Sequence, residues 1–379
     1  MDFQLTEEQI LIQDMARGFA ESELAPYSSK WDAEKFLDRD VFTKAAALGF
    51  CGIYTAEAHG GTALSRLSSA IVFEQLAKGD VSHTAMLTIH NMATWMIDSY
   101  GSDELRARFV PRLTAGELIA SYCLTEPGSG SDAASLSTKA ARDGDEYILN
   151  GTKTFISGAG WSDVYVVMAR TSNDGAKGIS CFVIEKGTTG LSFGPNEKKM
   201  GWNAQPTAQV IMEDCRIPAA NRVGAEGEGF RFAMSGLDGG RINIGACSLG
   251  GAQKALDASL QYTKERKQFG KSISDFQNTQ FMLSDMATEL DASRLLIYRG
   301  ADMIDKKIAG AGAACAMAKR YATDACSKIA NDALQLHGGY GYLSEYGVEQ
   351  IVRDLRVHQI LEGTNQIMRV IISRDLQRQ

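Results

Sequence analysis

The sequence predicts a multi-domain α+β chain: an N-terminal helical domain over residues 1–119, a middle antiparallel β-sheet or β-barrel domain over 120–223, and a C-terminal four-helix-bundle domain over 224–379. Three observations predict it. The chain has 379 residues, more than one hydrophobic core comfortably serves. All six prolines lie at or before Pro218. Because proline costs a helix interior about 3 kcal/mol, everything beyond that point is free to form long helices. Between about 120 and 223, short β-rich runs alternate with turn signals, and no helical pattern separates them.

At the N-terminal end, Thr6-Glu7-Glu8-Gln9 reads as a capping box, in which hydroxyl and amide satisfy two orphan donors. Ile10, Leu11, Met15 and Phe19 follow as the expected core face, and Pro26 stops the run. A second helix is expected from Asp40 to Leu48, closed by Gly49. Further helices are expected at 65–78, 83–99 and 102–115. In the middle part, Asp143-Gly144 and Asn150-Gly151 read as hairpin pairs, since both residues of each tolerate positive φ. The runs 164–168, 179–184 and 208–212 have strand composition. Residues 229–262, 275–308 and 313–336 carry apolar positions at helical spacing, with Gly310 and Gly312 marking a break. Thr364 is the expected N-cap of a last helix over 365–376.

Composition limits the function. A net charge of -7 argues against nucleic-acid binding, so an anionic ligand needs locally placed cations or backbone N–H groups. The seven cysteines include no Cys-x-x-Cys pair and read as reduced, packed thiols. Met1-Asp2-Phe3-Gln4 has neither the basic nor the apolar region of a signal peptide, and no apolar run is long enough to cross a bilayer. The expected location is therefore cytoplasmic, in a bacterial cytosol. No metal-ligand spacing occurs, so no metal is expected.

Four segments combine residues suited to chemistry. Thr125-Glu126-Pro127-Gly128-Ser129-Gly130-Ser131-Asp132 joins glycines that admit close backbone approach to hydroxyls that can cradle a phosphate or ring edge. A hairpin follows it, not a helix, which rules out the dinucleotide fingerprint; the plain alternative is an ordinary loop. Glu265-Arg266-Lys267-Gln268-Phe269-Gly270-Lys271, continuing to Phe276-Gln277, gathers cations and aromatics, although cations also suit a helix C-terminus. Gln335-Leu336-His337-Gly338-Gly339-Tyr340-Gly341-Tyr342 exceeds what a C-cap needs, and His337 by itself suits a structural role. In Ile360-Leu361-Glu362-Gly363-Thr364-Asn365-Gln366, one carboxylate follows two large apolar residues. An apolar pocket raises a glutamate's pKa and makes it a base near neutrality; a helix start that simply favours an acid explains the same spacing.

Taken together, these segments resemble the acyl-CoA dehydrogenase family, over the whole chain and in the family's domain order. The resemblance implies FAD between the β domain and the C-terminal bundle. Tyr122, Cys123, Leu124, Thr125, Gly130 and Ser131 would line the flavin, and Phe155, Ile156 and Ser157 would close another face. Arg266, Phe269, Phe276 and Gln277 would reach the FAD of a neighbouring subunit, as would Gln335, Leu336, His337, Gly338 and Gly339. Thr364, Asn365 and Gln366 would complete the cofactor site. For the acyl-CoA, Ser131, Asp238, Gly239, Gly240, Arg241, Gly363 and Arg374 match substrate positions, with Arg241 and Arg374 as local cations.

The resemblance also implies the reaction, formation of a 2,3-double bond. Glu362 would be the base, taking the α-proton while the β-hydrogen leaves as hydride to the flavin. Members acting on isovaleryl-CoA place this glutamate at the position matching Gly240, which is glycine here. An electron-transfer flavoprotein would accept the electrons, and shared FAD sites imply a homo-oligomer, a tetramer in this family. Among members, those acting on isobutyryl-CoA in valine breakdown are the most similar, in Gly239 to Gly250, Phe155 to Gly160 and Ile367 to Arg374. Butyryl and 2-methylbutyryl substrates stay open, because one methylene changes binding by only about 1–3 kcal/mol. The rival readings are an acyl-CoA oxidase or flavin monooxygenase of the same architecture, and an inactive acyl-CoA-binding relative.

Overall fold

A computed structural model describes residues 4–378, so Met1 to Phe3 of the N-terminal reading lie outside the described residues. The N-terminal domain holds α1 (Glu7–Phe19), α2 (Ser28–Glu34), α3 (Arg39–Ala47), α4 (Arg66–Gly79), α5 (Val81–Tyr100) and α6 (Asp103–Thr114). The capping box at Thr6 and Gln9 is present. Of the expected core face of α1 only Phe19 is buried: Ile10, Leu11 and Met15 are exposed by 45%, 70% and 39%. The buried stripe is Ile12, Ala16 and Phe19, at i, i+4 and i+7, and it continues to Leu24 through a π-turn. Ala16 of this stripe and Ala20 of the π-turn are both buried, and weighing large aliphatics alone misses them. Gly49, at φ 78, closes α3 as expected, while α2 was not anticipated.

The middle domain is one sheet of β1 (Ala120–Cys123), β2 (Lys139–Asp143), β3 (Glu146–Ser157), β4 (Val164–Arg170), β5 (Ile179–Glu185), β6 (Leu191–Phe193), β7 (Thr207–Pro218) and β8 (Arg222–Val223). Its order is β6-β7-β3-β2-β4-β5-β8, with β1 against β4. Most pairs are antiparallel, but β1 and β2 both run parallel to β4. Asp143 pairs with Glu146 around Gly144, the expected hairpin. Asn150-Gly151 is not a turn: it lies inside β3, at a register shift against β7. The Asn150 amide exchanges two hydrogen bonds with Asp214, at 2.8 and 3.0 Å. A Cβ at Gly151 would stand 2.4 Å from the Thr138 hydroxyl, so this glycine serves a bulge and a close approach.

The C-terminal domain comprises α7 (Gly229–Glu265), the short hairpin β9 (Lys267–Gln268) and β10 (Lys271–Ser272), then α8 (Gln277–Asp305), α9 (Ala311–His337), α10 (Val348–Arg356) and α11 (Asn365–Leu376). Gly310, at φ 83, separates α8 from α9, whereas Gly312 lies within α9. Helix α7 is glycine-rich although each glycine costs an exposed helix about 1 kcal/mol. Packing accounts for it: at Gly250 a Cβ would stand 2.2 Å from the Glu74 carbonyl of α4. Helix α4 packs on α7 and α8, and one continuous core joins α1, α4, α7, α8 and α9, so the two helical domains share an interior.

All seven cysteines are buried and unpaired. Among the described residues, no helix is long and apolar enough to cross a membrane, and no group of three His, Cys, Asp or Glu is placed to hold a metal ion.

Candidate active site

After α10 the chain makes a 3-10 turn, Val357–Gln359, and then two successive left-handed residues, Glu362 at φ 56 and Gly363 at φ 87. Thr364 follows as N-cap of α11, its hydroxyl accepting from the Ile367 N–H at 3.2 Å. A left-handed glutamate is costly backbone and is found where surroundings over-determine it. The turn lays the Glu362 carboxylate on Gly240 of α7, where an added Cβ would stand 2.6 Å from Oε2 and 2.9 Å from Cδ. Glu362 is partly exposed as a residue, but Oε2 is shielded from solvent and has no hydrogen-bond partner. Burial pushes its pKa up to about 7, against the opposing pull of Arg241 and Lys319.

Arg241, the local cation of the sequence reading, is buried and paired. Its guanidinium donates to Asp238 at 2.5 Å and to the Glu362 carbonyl at 3.3 Å. Lys319 of α9, also buried, donates to the Gly363 carbonyl and to Asn365 Oδ1, both at 2.9 Å. Asn365 is likewise occupied internally, since its amide also donates to Thr323 and Asp324. That leaves its side chain no capacity for a ligand. Gln366 and Arg374 are exposed on α11.

Tyr54, which the sequence reading missed, joins Tyr122, which it named, in the surroundings of Glu362. Tyr54 accepts from Asn243 at 3.2 Å, and the Arg66 guanidinium stacks 3.5 Å over the Tyr54 ring and 5.0 Å from Trp95. The Tyr122 hydroxyl is buried without a partner. Burial raises the pKa of both tyrosines, and the Glu362 charge adds to it. A Cβ at Gly239 would stand 2.6 Å from Arg66 Nη1, so Gly239 and Gly240 make room for different charged groups. One signal was available for Lys319: it sits four residues after Cys315 and four before Thr323, both buried, on the core stripe of an Ala-rich helix. Tyr54, Arg66 and Trp95 belong to no motif.

The loop after β1 is pinned to β3. Thr154 N–H donates to the Thr125 carbonyl at 2.9 Å, so the 122–131 and 155–157 segments stand side by side. Glu126 is buried and accepts from the Ser137 and Thr138 backbones at 2.6 and 3.0 Å and from Lys153 Nζ at 2.7 Å; Lys153 also donates to the Leu124 carbonyl. Burial would raise the Glu126 pKa, but Lys153 and these donors win and hold it at about 2. Glu126→Ala leaves Lys153 buried and unpaired, so it is expected to cost about 3–5 kcal/mol, read as a lower denaturation midpoint. Outside this clamp, Gly128 and Gly130 have nothing within 4 Å of an added Cβ, and Ser131 is exposed. Phe155, at φ 58 in a bulge, is 66% exposed, while Ile156 packs inward. Cys123 and Leu124 are buried, with Cys123 paired to Val167 of β4. The Ser157 carbonyl is taken by the Ser121 hydroxyl at 2.6 Å.

Two other expected segments meet elsewhere. Arg266 and residues 335–339 line one groove of about 370 Å³. His337 is buried, stacked 4.4 Å from Tyr262 and bonded to the Ala333 carbonyl at 2.7 Å. Phe269 is 92% exposed, Phe276 meets it edge-on at 6.2 Å, and Gln277 opens α8 on the surface. At 1.5 Å per residue, His337 stands roughly 27 Å along α9 from Lys319. The groove is therefore remote from the Glu362 of the same chain.

Comparison with known proteins agrees with this arrangement. Three family models match in chain order: acyl-CoA dehydrogenase N-terminal domain over residues 6–117, middle domain over 121–215 and C-terminal domain over 227–377. Isobutyryl-CoA dehydrogenase, mitochondrial, of Dictyostelium discoideum is 57% identical over 98% of this chain and 90% of its own length. The Bos taurus protein of the same name is 55% identical over 98% and 89%. The solved butyryl-CoA dehydrogenase of Megasphaera elsdenii superimposes with a TM-score of 0.97 at 36% identity, covering 100% of both chains. The chain belongs to the acyl-CoA dehydrogenase family, flavoprotein oxidoreductases that act on the CH–CH group of acyl-CoA.

Proposed function

We propose that this chain oxidises a short branched acyl-CoA, isobutyryl-CoA first, to its 2,3-enoyl-CoA, with Glu362 as the base. The observation that carries the reading is the Glu362 carboxylate itself. It rests on Gly240 with a shielded, unpartnered Oε2 and a pKa near 7, where a carboxylate is both ionised and basic enough to take an α-proton. The Glu362 N–H is a candidate donor to the thioester oxygen as charge develops there, an interaction worth roughly 3–4 kcal/mol. The identities of 57% and 55% support isobutyryl-CoA, as do the bulky Tyr54 and Tyr122 near the base, which suit a short acyl chain.

FAD, when bound, supplies the hydride acceptor. The residues present fit it: the Tyr122 hydroxyl is buried and unpartnered, the Gly128 and Gly130 backbones are open, and Phe155 is exposed in a bulge beside Thr125. Tyr122 to Ser131, with Phe155 and Thr364, would hold it. The groove of Arg266 and residues 335–339, roughly 27 Å along α9 from Lys319, would serve the FAD of a neighbouring subunit in a homotetramer. Ser131 and Arg374 are the exposed candidates for CoA contact. An electron-transfer flavoprotein would take the electrons onward.

Anaerobic titration with isobutyryl-, 2-methylbutyryl- and butyryl-CoA, followed by bleaching of flavin absorbance, tests the substrate. Isobutyryl-CoA is expected to reduce the flavin fastest, and equal rates for all three would overturn the preference. Steady oxygen consumption with substrate and no other acceptor would instead identify an oxidase.

A further inference from the structure

We infer that Lys319 is a positioning residue for the Glu362 carboxylate, an assignment that rests on Glu362 being the base. Lys319 is fully buried on α9, and among the described residues it pairs with no carboxylate. Its ammonium is spent on the Gly363 carbonyl and Asn365 Oδ1, both at 2.9 Å. Arg241 of α7 holds the preceding carbonyl, that of Glu362, at 3.3 Å. Two buried cations from two helices thus fasten two consecutive carbonyls, in the stretch where Glu362 and Gly363 are both left-handed. A left-handed turn of this kind persists only where its surroundings fix it. With both carbonyls fastened, the side chain of Glu362 is directed at Gly240 rather than at solvent.

A lysine that merely capped a helix would sit at the surface, where ammonium is well hydrated. Burying one with no carboxylate in contact is costly unless its charge serves a group nearby. The group is Glu362. Facing it are Arg241, already paired with Asp238, from α7; Lys319, with Asp324 beyond it, from α9; Tyr54 from the segment before α4; and Tyr122 from β1. Of these, Arg241 and Lys319 favour the ionised carboxylate, and Lys319 is the one whose charge no carboxylate compensates directly.

The test is Lys319→Gln in the FAD-loaded enzyme, read two ways. The first is the pH profile of anaerobic flavin reduction. The second is an infrared titration of the Glu362 carboxyl, taken as the difference from Glu362→Gln, which needs no turnover. Removing one nearby opposite charge is expected to move the acid limb and the carboxyl titration upward together by about one pH unit. Loosening the turn is expected to lower the plateau rate roughly tenfold. Lys319→Met, which removes the charge but fills the same buried space, is expected to raise the carboxyl titration too, and it carries the test if Lys319→Gln fails to fold. An unmoved carboxyl titration in the variants that fold would overturn the inference. Rapid flavin reduction by Glu362→Gln would overturn the base assignment instead, so the two failures are distinguishable.

Discussion

Replacing Glu362 by glutamine is expected to slow anaerobic flavin reduction by acyl-CoA at least about 10²-fold and up to about 10⁴-fold, the range over which general base catalysis contributes. Glutamine preserves the shape of the side chain and the left-handed turn, so flavin content and acyl-CoA binding should stay near wild type. Rapid-mixing absorbance at pH 8 measures the effect, and a variant that still bleaches within a factor of ten of wild type would remove Glu362 from the mechanism. In the wild-type enzyme, the rate should rise with pH through about 7, because the ionised form is the active one.

The same substitution should move stability in the opposite direction. Burial holds the Glu362 carboxyl at about 7 in the folded chain, against an ordinary 4.5. Between those pH values the folded state binds the proton more readily than the unfolded state, so stability is lost as pH rises through that window. Glutamine carries no such penalty. Glu362→Gln is therefore expected to be more stable than wild type at pH 8, on the order of 1–3 kcal/mol at one site, and nearly equal to it at pH 4. Thermal denaturation at the two pH values reads the difference directly. A gain in stability with a loss of rate is what a site held in a strained, desolvated state for function should give.

How much of this was legible beforehand depends on what fixed each element. Helix ends governed by local chemistry were readable: Thr6 and Thr364 both cap where their side chains say they should. Asp143-Gly144 made the expected hairpin because nothing distant competes there. Asn150-Gly151 carries the same local signal, but β7 and Thr138 press against it, and tertiary packing turned it into a bulge. The face of α1 was misread because alanine at a tightly packed position is as much a core residue as leucine. At the site, motif residues were legible as segments, yet their use was not. Asn365 and Arg241 face inward, and Lys319 and Tyr54 come near Glu362, with Arg66 stacked on Tyr54, only because α4, α7, α9 and the Glu362 turn converge. Juxtaposition across separations of hundreds of residues leaves no trace in local spacing.

Gly240→Ala is the sharper probe of that juxtaposition, because it adds one methyl group and no charge. By backbone preference alone the change is favourable: φ at Gly240 is helical, and alanine in a helix interior is worth about 1 kcal/mol over glycine. The methyl, however, would lie 2.6 Å from Glu362 Oε2 and 2.9 Å from Cδ, distances that real Cβ contacts do not reach. The backbone of α7 is fixed by its packing on α4 and α9, and the Glu362 turn is fastened through two carbonyls, so the flexible partner is the carboxylate. It must swing away from the place where the substrate's α-carbon would be met. A displacement of about 1 Å is enough to cost on the order of 10²-fold in rate. The expected result is a variant that keeps its flavin and its thermal stability while its flavin-reduction rate falls by about that factor. A variant that instead reduces its flavin at the wild-type rate would show that the carboxylate need not rest on Gly240 to act.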